Sequence, residues 1–231
     1  MKYAIVDKRI PKKALSGLKA HGFEPILMPP FSRLSEPVAS HPDMLMFFGD
    51  KLYFPKEYYG IAKKEIDLIA AACGLEAEPC DTKISSDYPN DIAFNALPLG
   101  DLIFCKKDSL CKNIKESGKE TVNIAQGYAK CAAVKVSENA IITSDPSVAK
   151  AAEEHGIDVL KISTGHVALS GYDTGFIGGA SGACENTVFF CGSLYTHPDG
   201  EKISLFCKKH KKEAVSLSDE PLYDIGTIFF I

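Results

Sequence analysis

Short polar segments precede four predicted strand hairpins, and their residue types could carry chemistry. They are 41–43 (HPD), 89–91 (PND), 128–130 (YAK) and 184–186 (CEN). If the hairpins occupy equivalent places in the fold, four side chains meet in one channel: Asp43, Asp91, Lys130 and Asn186. Two carboxylates and an ammonium group would bind a ligand with a cationic end and a carboxylate end, such as an amino acid derivative. The same charges would equally serve as an internal ion-pair network that joins the units.

One histidine and two of the eight cysteines add possible proton-transfer and nucleophilic groups. His41 could assist Asp43 in proton transfer, or it could simply form the turn into a strand, since proline at the next position disfavours helix. Cys131 and Cys184 adjoin the polar segments, and each is either a candidate nucleophile or a small core residue. The cysteines include no C-x-x-C pair, which excludes zinc ribbons and thioredoxin-like motifs. We expect no metal site and no cofactor.

Two further segments stand out by composition. Ser170–Gly182 (SGYDTGFIGGASG) has five glycines in thirteen residues, but it matches neither a Walker loop nor a dinucleotide-binding fingerprint. The segment is either a flap over the channel, with Asp173 as a ligand contact, or a surface bulge without a ligand. The basic run Lys208–Lys212 (KKHKK) indicates a solvated helix face rather than a site for RNA or an acidic partner.

The composition limits the class of protein and its partners. The 231 residues carry 26 basic and 30 acidic side chains, a net charge of −4, which gives no general basic field for nucleic acid. Charges at Asp7, Lys8 and Arg9 interrupt the first apolar run, and no later run approaches the ~20 residues needed to cross a bilayer. We therefore expect one domain over residues 1–231, in a cytoplasmic protein whose partner is a small polar molecule.

A strand hairpin, a helix and a single strand follow one another in residues 132–162. The strands are predicted at Ala132–Asn139, Ala140–Thr143 and Ile157–Ile162. The helix begins at Pro146, a residue suited to the first helical turn, and either Ser144 or Asp145 can cap it. Gly156 ends the helix. This segment therefore has the order ββαβ.

Four weaker copies of the same order account for the rest of the chain. The approximate units are 1–40, 41–88, 89–127, 128–180 and 181–231, with hairpins that begin near residues 44, 92, 132 and 187. Met46–Tyr53 and Val188–Tyr195 share the pattern F-F-x-x-x-L-Y, which predicts equivalent hairpins. A ββαβ unit cannot bury both faces of its sheet alone, so five units could close into a ring. The alternative is an ordinary α+β domain without symmetry.

The stretch Asn123–Gly182 and the closing Asp224–Ile231 (DIGTIFFI) resemble the pentein superfamily, the fold of guanidino-group-modifying enzymes. The resemblance covers essentially the full chain. It implies an α/β fold, a fivefold pseudosymmetric α/β propeller of ββαβ units with a polar site in a central channel. Penteins include arginine and agmatine deiminases, amidinotransferases and dimethylarginine hydrolases, but also a non-catalytic ribosome-binding translation factor. The fold alone therefore does not decide the function.

The resemblance also implies site residues: a cysteine nucleophile on the last loop, a histidine acid/base, and carboxylates that grip the guanidinium group. His166 matches the place of the family histidine, whereas Ala168 stands where an acid is common. Phe230 matches the nucleophile position and cannot attack a substrate. We therefore expect a protein that binds a small polar ligand in its channel without the standard cysteine chemistry. The alternative is a hydrolase- or deiminase-like enzyme acting on a guanidino or amino-acid-like molecule, with His166, Cys131 and Cys184 as candidate catalytic residues.

Overall fold

Five small β-sheets of the same construction make up the protein in the computed structural model, which describes residues 1–231. Each sheet has three strands, and its middle strand pairs antiparallel with one neighbour and parallel with the other. A helix joins the two parallel strands in every case. The repeated ββαβ order predicted from the sequence is therefore confirmed.

The elements follow one another in a regular order along the chain. The strands are β1 (Lys2–Asp7), β2 (Phe23–Met28), β3 (Phe47–Phe48), β4 (Leu52–Pro55), β5 (Ala77–Cys80), β6 (Leu97–Leu99), β7 (Leu102–Cys105), β8 (Glu120–Asn123), β9 (Ala133–Ser137), β10 (Ala140–Thr143), β11 (Asp158–Lys161), β12 (Ser181–Cys184), β13 (Thr187–Phe190), β14 (Glu213–Ser216) and β15 (Phe229–Phe230). The helices are α1 (Lys12–Ala20), α2 (Pro42–Leu45), α3 (Lys56–Cys73), α4 (Lys112–Lys115), α5 (Ala129–Ala132), α6 (Pro146–Glu154) and α7 (Gly200–Lys209).

The middle strands form the interior of each sheet. β4 and β10 are buried at every position, so their sequences LYFP and AIIT show no alternation between apolar and polar residues. A strand covered on both faces is expected to read as a continuous apolar run. The helices pack against the third strands, as α1 does on β2 and α6 on β11.

The fifth sheet departs from its prediction by one strand. Its hairpin is formed by β12 and β13, whereas Leu194–Thr196, which includes the end of the predicted hairpin Val188–Tyr195, is a 3₁₀ turn. The likeness between Met46–Tyr53 and Val188–Tyr195 is therefore accidental. The sequence of β12, SGAC, lacks the apolar alternation by which a strand is recognised. Its Gly182 lies against the backbone of Ile228, where an added Cβ atom would come within 2.0 Å of the carbonyl oxygen.

The first sheet takes one strand from the C-terminal end of the chain. β15 pairs antiparallel with β1, joining Ala4 to Phe230 and Ile5 to Phe229. The expected first unit, residues 1–40, thus lacks its own hairpin and is completed by residues 229–230. The second unit also differs, because Met44 and Leu45 belong to α2 rather than to a strand.

Five strands, one from each sheet, face a common axis. These inner strands are β3, β6, β9, β12 and β15, and residues of all five line one central cleft. A predominantly α/β ring of five similar units results, and the alternative of an α+β domain without symmetry is excluded. No helix in the structure has the length and apolar character needed to span a bilayer.

Candidate functional site

The segments that lead into the inner strands bring polar side chains together near the axis. α2 supplies Asp43, the turn before β6 supplies Asn95, α5 supplies Lys130 and Cys131, and the last loop supplies Thr227. We call these five residues the polar cluster. All five are buried, and hydrogen bonds connect them across the units.

Asp43 lies at the centre of the polar cluster and is 1% exposed. Its Oδ2 atom accepts a hydrogen bond from the Thr227 hydroxyl at 2.7 Å and another from the Cys131 thiol at 3.0 Å. Its Oδ1 atom has no hydrogen-bond partner. No lysine, arginine or histidine nitrogen lies within 4.0 Å of the carboxylate. Asp43 is therefore a buried acid without a direct ion-pair partner.

Lys130 is 7% exposed and also lacks an ion-pair partner. Its Nζ atom donates to Thr227 Oγ1 at 3.1 Å and lies 5.8 Å from the centre of the Phe229 ring. Burial lowers the pKa of Lys130, although the negative charge of Asp43 opposes this effect. Lys130 and Asp43 are thus linked by hydrogen bonds through the Thr227 hydroxyl rather than by direct contact.

Cys131 is held as a thiol. Burial raises the pKa of Cys131 well above its usual range, and the nearby Asp43 carboxylate raises it further. The Asn95 amide contacts the sulfur at 3.1 Å, and its oxygen accepts the backbone N–H of Lys130 at 2.8 Å. Asn95, which the sequence did not single out, therefore fixes the short helix that carries both Lys130 and Cys131.

The central cleft opens above part of the polar cluster and has a volume of about 370 Å³. Asp43, Lys130 and Thr227 lie on its floor. Aromatic rings form much of its wall, namely Phe47, Phe48, Phe94, Phe229 and Phe230. Its rim carries both positively and negatively charged side chains, namely Lys135, Glu138, Glu185 and Lys212. A volume of this size is within the ~300–1,000 Å³ typical of small-molecule sites.

A second group of charged residues lies beside the polar cluster, around a smaller cavity of about 170 Å³. His41 lies between two buried carboxylates, with Nε2 3.7 Å from Asp7 and Nδ1 3.8 Å from Asp224. Arg9 pairs with Asp7 at 2.7 Å. His41 is therefore placed toward Asp7 and Asp224. It is not within ion-pair distance of Asp43, which it would assist under one of the two alternatives raised by the sequence.

Several predicted site residues lie outside both cavities. Asn186 is exposed in the turn between β12 and β13, so the prediction that it joins Asp43 and Lys130 is wrong. The error follows from the one-strand shift in the fifth unit: the segment before β12 contains Gly178 and Gly179 instead. Asp91 is buried but accepts a hydrogen bond from the Tyr128 hydroxyl at 2.6 Å and does not line the cleft.

The remaining candidates are also placed away from the polar cluster. His166 is exposed and packs against His197, with ring centres 5.2 Å apart. Cys184 is half-buried at the end of β12, and burial raises the pKa of its thiol. Asp173 is exposed in the glycine-rich segment. The second half of that segment is buried, so it is neither a flap nor a bulge along its whole length.

The last loop places a different residue at the axis from the one expected. Phe230 is in β15, where its ring packs against Phe23 at 4.6 Å and Phe189 at 5.1 Å. Thr227 is the residue of this loop that contacts Asp43, and its φ of 72° is unusual for threonine. Thr227 was missed because the sequence did not indicate that residues 229–230 form an inner strand. The neighbouring Gly226 was the available signal of a sharp turn.

Comparison with solved structures shows the fold. Agmatine deiminase of C. jejuni matches with a TM-score of 0.56 at 8% identity, over 94% of this chain and 87% of that one. DDAH from Pseudomonas aeruginosa, solved as a cysteine-to-serine mutant with citrulline, matches with a TM-score of 0.56 at 8% identity, over 94% and 92%. An amidinotransferase of saxitoxin biosynthesis from Microseira wollei matches with a TM-score of 0.55 at 12% identity, over 88% and 72%.

These three proteins are pentein-fold enzymes, which confirms both the predicted resemblance and the fivefold pseudosymmetric α/β architecture. No curated protein matches the sequence. One family model, described as "Family of unknown function (DUF6873)", matches residues 5–229. Because that match spans nearly the whole chain, the protein is a member of the DUF6873 family, and it has a divergent pentein fold.

Proposed function

We propose that the protein binds a small organic cation, with a guanidino or amino group, on the floor of the central cleft. Asp43 carries the proposal: it is a buried carboxylate that lines the cleft, has one oxygen without a hydrogen-bond partner, and has no cationic side chain within 4.0 Å. A buried ion without a partner is costly, and a cationic ligand would remove that cost.

The walls of the cleft favour the same kind of ligand. Phe47, Phe48, Phe94, Phe229 and Phe230 line the cleft, and the rings of Phe48 and Phe229 pack against each other with centres 4.8 Å apart. Aromatic faces attract ammonium and guanidinium groups by about 0.5–2 kcal/mol each. The apolar wall would also cover the methylene groups that join the two ends of an amino acid or amine.

The state of Cys131 supports binding without cysteine chemistry. A nucleophilic cysteine must become a thiolate, and burial together with the Asp43 charge opposes this by raising the pKa of Cys131. The thiol instead donates a hydrogen bond to Asp43 at 3.0 Å, which helps to position the carboxylate.

Arginine and citrulline form a matched pair of probes because they are similar in size but differ in the charge of the end group. In isothermal titration calorimetry, we expect arginine to bind and citrulline to bind at least about tenfold more weakly, since a hydrogen bond to a charged group contributes roughly 1.5–3 kcal/mol. Asp43→Asn should remove this preference, whereas the exposed Asp173→Asn should retain it. Equal affinities for the two probes in the wild-type protein would refute the proposal.

A second candidate function is a deiminase- or hydrolase-like reaction on a guanidino compound. It is favoured by the likeness in fold to agmatine deiminase and by the position of Cys131 beside Asp43. Release of ammonia or urea from arginine or agmatine, abolished by Cys131→Ser and unaffected by Cys184→Ser, would establish this reaction. No release from either compound, with arginine binding intact, would leave binding as the function.

A further inference from the structure

The central cleft contains a buried amine that the proposed cation site does not use. Lys130 Nζ has one hydrogen-bond partner, the Thr227 hydroxyl at 3.1 Å, and no carboxylate within 4.0 Å. The ring of Phe229 covers it at 5.8 Å. A charged ammonium group in such surroundings is costly, and the neutral amine is correspondingly favoured. A neutral primary amine is a nucleophile.

We propose that Lys130 forms an imine with small aldehydes that enter the central cleft. The Nζ lone pair attacks the carbonyl carbon and forms the C–N bond, while the carbonyl oxygen takes up a proton and the nitrogen loses one. The resulting carbinolamine then loses its hydroxyl group and the second nitrogen proton as water, which leaves a C=N bond. No oxidant or reductant is needed for these steps.

The neighbours of Lys130 provide a path for the protons. The Thr227 hydroxyl lies between Lys130 Nζ, at 3.1 Å, and Asp43 Oδ2, at 2.7 Å. A proton leaving the nitrogen can therefore pass through the hydroxyl to the carboxylate and return to the oxygen that departs as water. Thr227 and Asp43 act here as positioning and proton-transfer groups, whereas Lys130 forms the covalent bond.

The charges around Lys130 do not reverse the effect of burial. The pKa of Lys130 is lowered mainly by burial and also by Lys135, while the carboxylates of Asp43 and Asp224 act in the opposite direction. Lys135, on the rim of the same cleft, differs because Glu138 pairs with it at 2.6 Å. A lysine with an ordinary environment stays protonated near neutral pH because its pKa is about 10.4.

Reductive trapping tests the proposal on the unmodified protein. The protein is treated with limiting propanal and sodium cyanoborohydride at about pH 7, where ordinary lysines are protonated, and each lysine is examined by peptide mass spectrometry. We expect the propyl adduct on Lys130 at least about tenfold above that on Lys135 and on the exposed Lys208, because each unit by which a pKa falls raises the fraction of neutral amine about tenfold. Labelling of Lys130 at or below the level of Lys208 would overturn the proposal.

One variant, together with arginine binding by the wild-type protein, separates this site from the proposed cation site. Lys130→Arg, checked for folding by circular dichroism, should lose the dominant adduct and leave the surface adducts unchanged. Persistence of a dominant adduct in that variant would also overturn the proposal. If the wild-type protein binds arginine but Lys130 is not labelled, only imine formation fails. If Lys130 is labelled but arginine does not bind, only the cation site fails.

Discussion

At the scale of single residues, Asp224 shows how closely the axis is packed. Its carboxylate accepts hydrogen bonds from the backbone N–H groups of Phe176, at 2.8 Å, and Gly226, at 2.9 Å. A Cβ atom on Gly179 would come within 2.0 Å of Asp224 Oδ1. A side chain at position 179 would therefore collide with this carboxylate, so the glycine at this position is explained by the packing of an acid.

Replacement of Gly179 by alanine should consequently destabilise the protein. We expect Gly179→Ala to lower the free energy of unfolding by about 1–3 kcal/mol, the usual cost of overpacking, as measured by urea denaturation. Gly60 in α3 is a matched control, because nothing lies within 4 Å of its added Cβ atom. Gly60→Ala should be neutral or slightly stabilising, and an equal loss in the two variants would contradict this packing.

The charge of Asp224 should give the stability a specific dependence on pH. Burial raises the pKa of Asp224, against the opposing effect of His41 and the two backbone N–H groups, while Asp43 raises it further. The folded state then binds the proton more tightly than the unfolded state, whose pKa is about 3.9. The resulting stabilisation is complete below that pKa and is lost as the pH rises through the higher pKa of the folded state.

Comparison with Asp224→Asn isolates this contribution. The wild-type protein should be most stable relative to the variant below about pH 3.9, and the difference in the free energy of unfolding should shrink as the pH rises. Guanidinium denaturation across this range measures the difference at each pH. The exposed Asp173→Asn serves as the control and should show no such trend. A difference that grows with pH would mean that the pKa is lowered.

Sequence reasoning found part of the polar cluster and missed the rest for a definable reason. Asp43 and Lys130 each precede a hairpin with recognisable strands, so their positions could be predicted from the repeat. Thr227 precedes β15, a strand of two residues that pairs with the opposite end of the chain. No local pattern reveals such a pairing.

At the scale of elements, α6 shows how local chemistry fixes a boundary. The Asp145 carboxylate accepts the N–H groups of Ser147 at 2.8 Å and Val148 at 2.9 Å, so it is the cap that the sequence left open between Ser144 and Asp145. Pro146 occupies the first helical position. Two otherwise unpaired donors at the start of the helix are thereby satisfied.

Loss of this cap should cost about 1 kcal/mol of stability. We expect Asp145→Ala to lower the free energy of unfolding by that amount in thermal or urea denaturation. Asp108 is exposed and offers a control substitution of the same type. A variant Asp145→Ala as stable as Asp108→Ala would show that the cap contributes nothing.

The elements that could be predicted are those whose residues carry a periodic pattern. The fourth sheet was predicted nearly to the residue because β9 alternates and α6 has a cap, a proline and a terminal glycine. β12 could not be predicted, because close contact with the backbone of Ile228 requires glycine at position 182 and interrupts the apolar alternation. In the fifth sheet, tertiary packing thus determined the residue types, and the local sequence pattern typical of a strand is absent.

At the scale of the whole molecule, β15 joins the two ends of the chain. Backbone hydrogen bonds link Tyr3 N to Ile231 O at 2.8 Å and Ile231 N to Tyr3 O at 3.1 Å. Both residues of the same strand line the cleft, and the strand follows directly on the loop that holds Thr227. We therefore expect stability and the proposed ligand binding to depend on the same C-terminal residues.

Deletion of residues 229–231 should affect both properties. We expect the free energy of unfolding to fall by at least about 3 kcal/mol, as for the loss of a packed aromatic side chain, and arginine binding to be lost with it. Leu205→Ala, which removes an exposed apolar side chain from α7, should leave both unchanged. A truncated protein that retains its stability and binding would show that the ring does not need this strand.

The central claim is that Asp43 binds a cationic ligand in the central cleft. A structure of crystals of the protein grown with arginine tests this claim most directly. We expect density for arginine in the cleft, with a guanidinium nitrogen within hydrogen-bond distance of Asp43 Oδ1. A cleft without arginine, in which Lys130 pairs directly with Asp43, would contradict the claim.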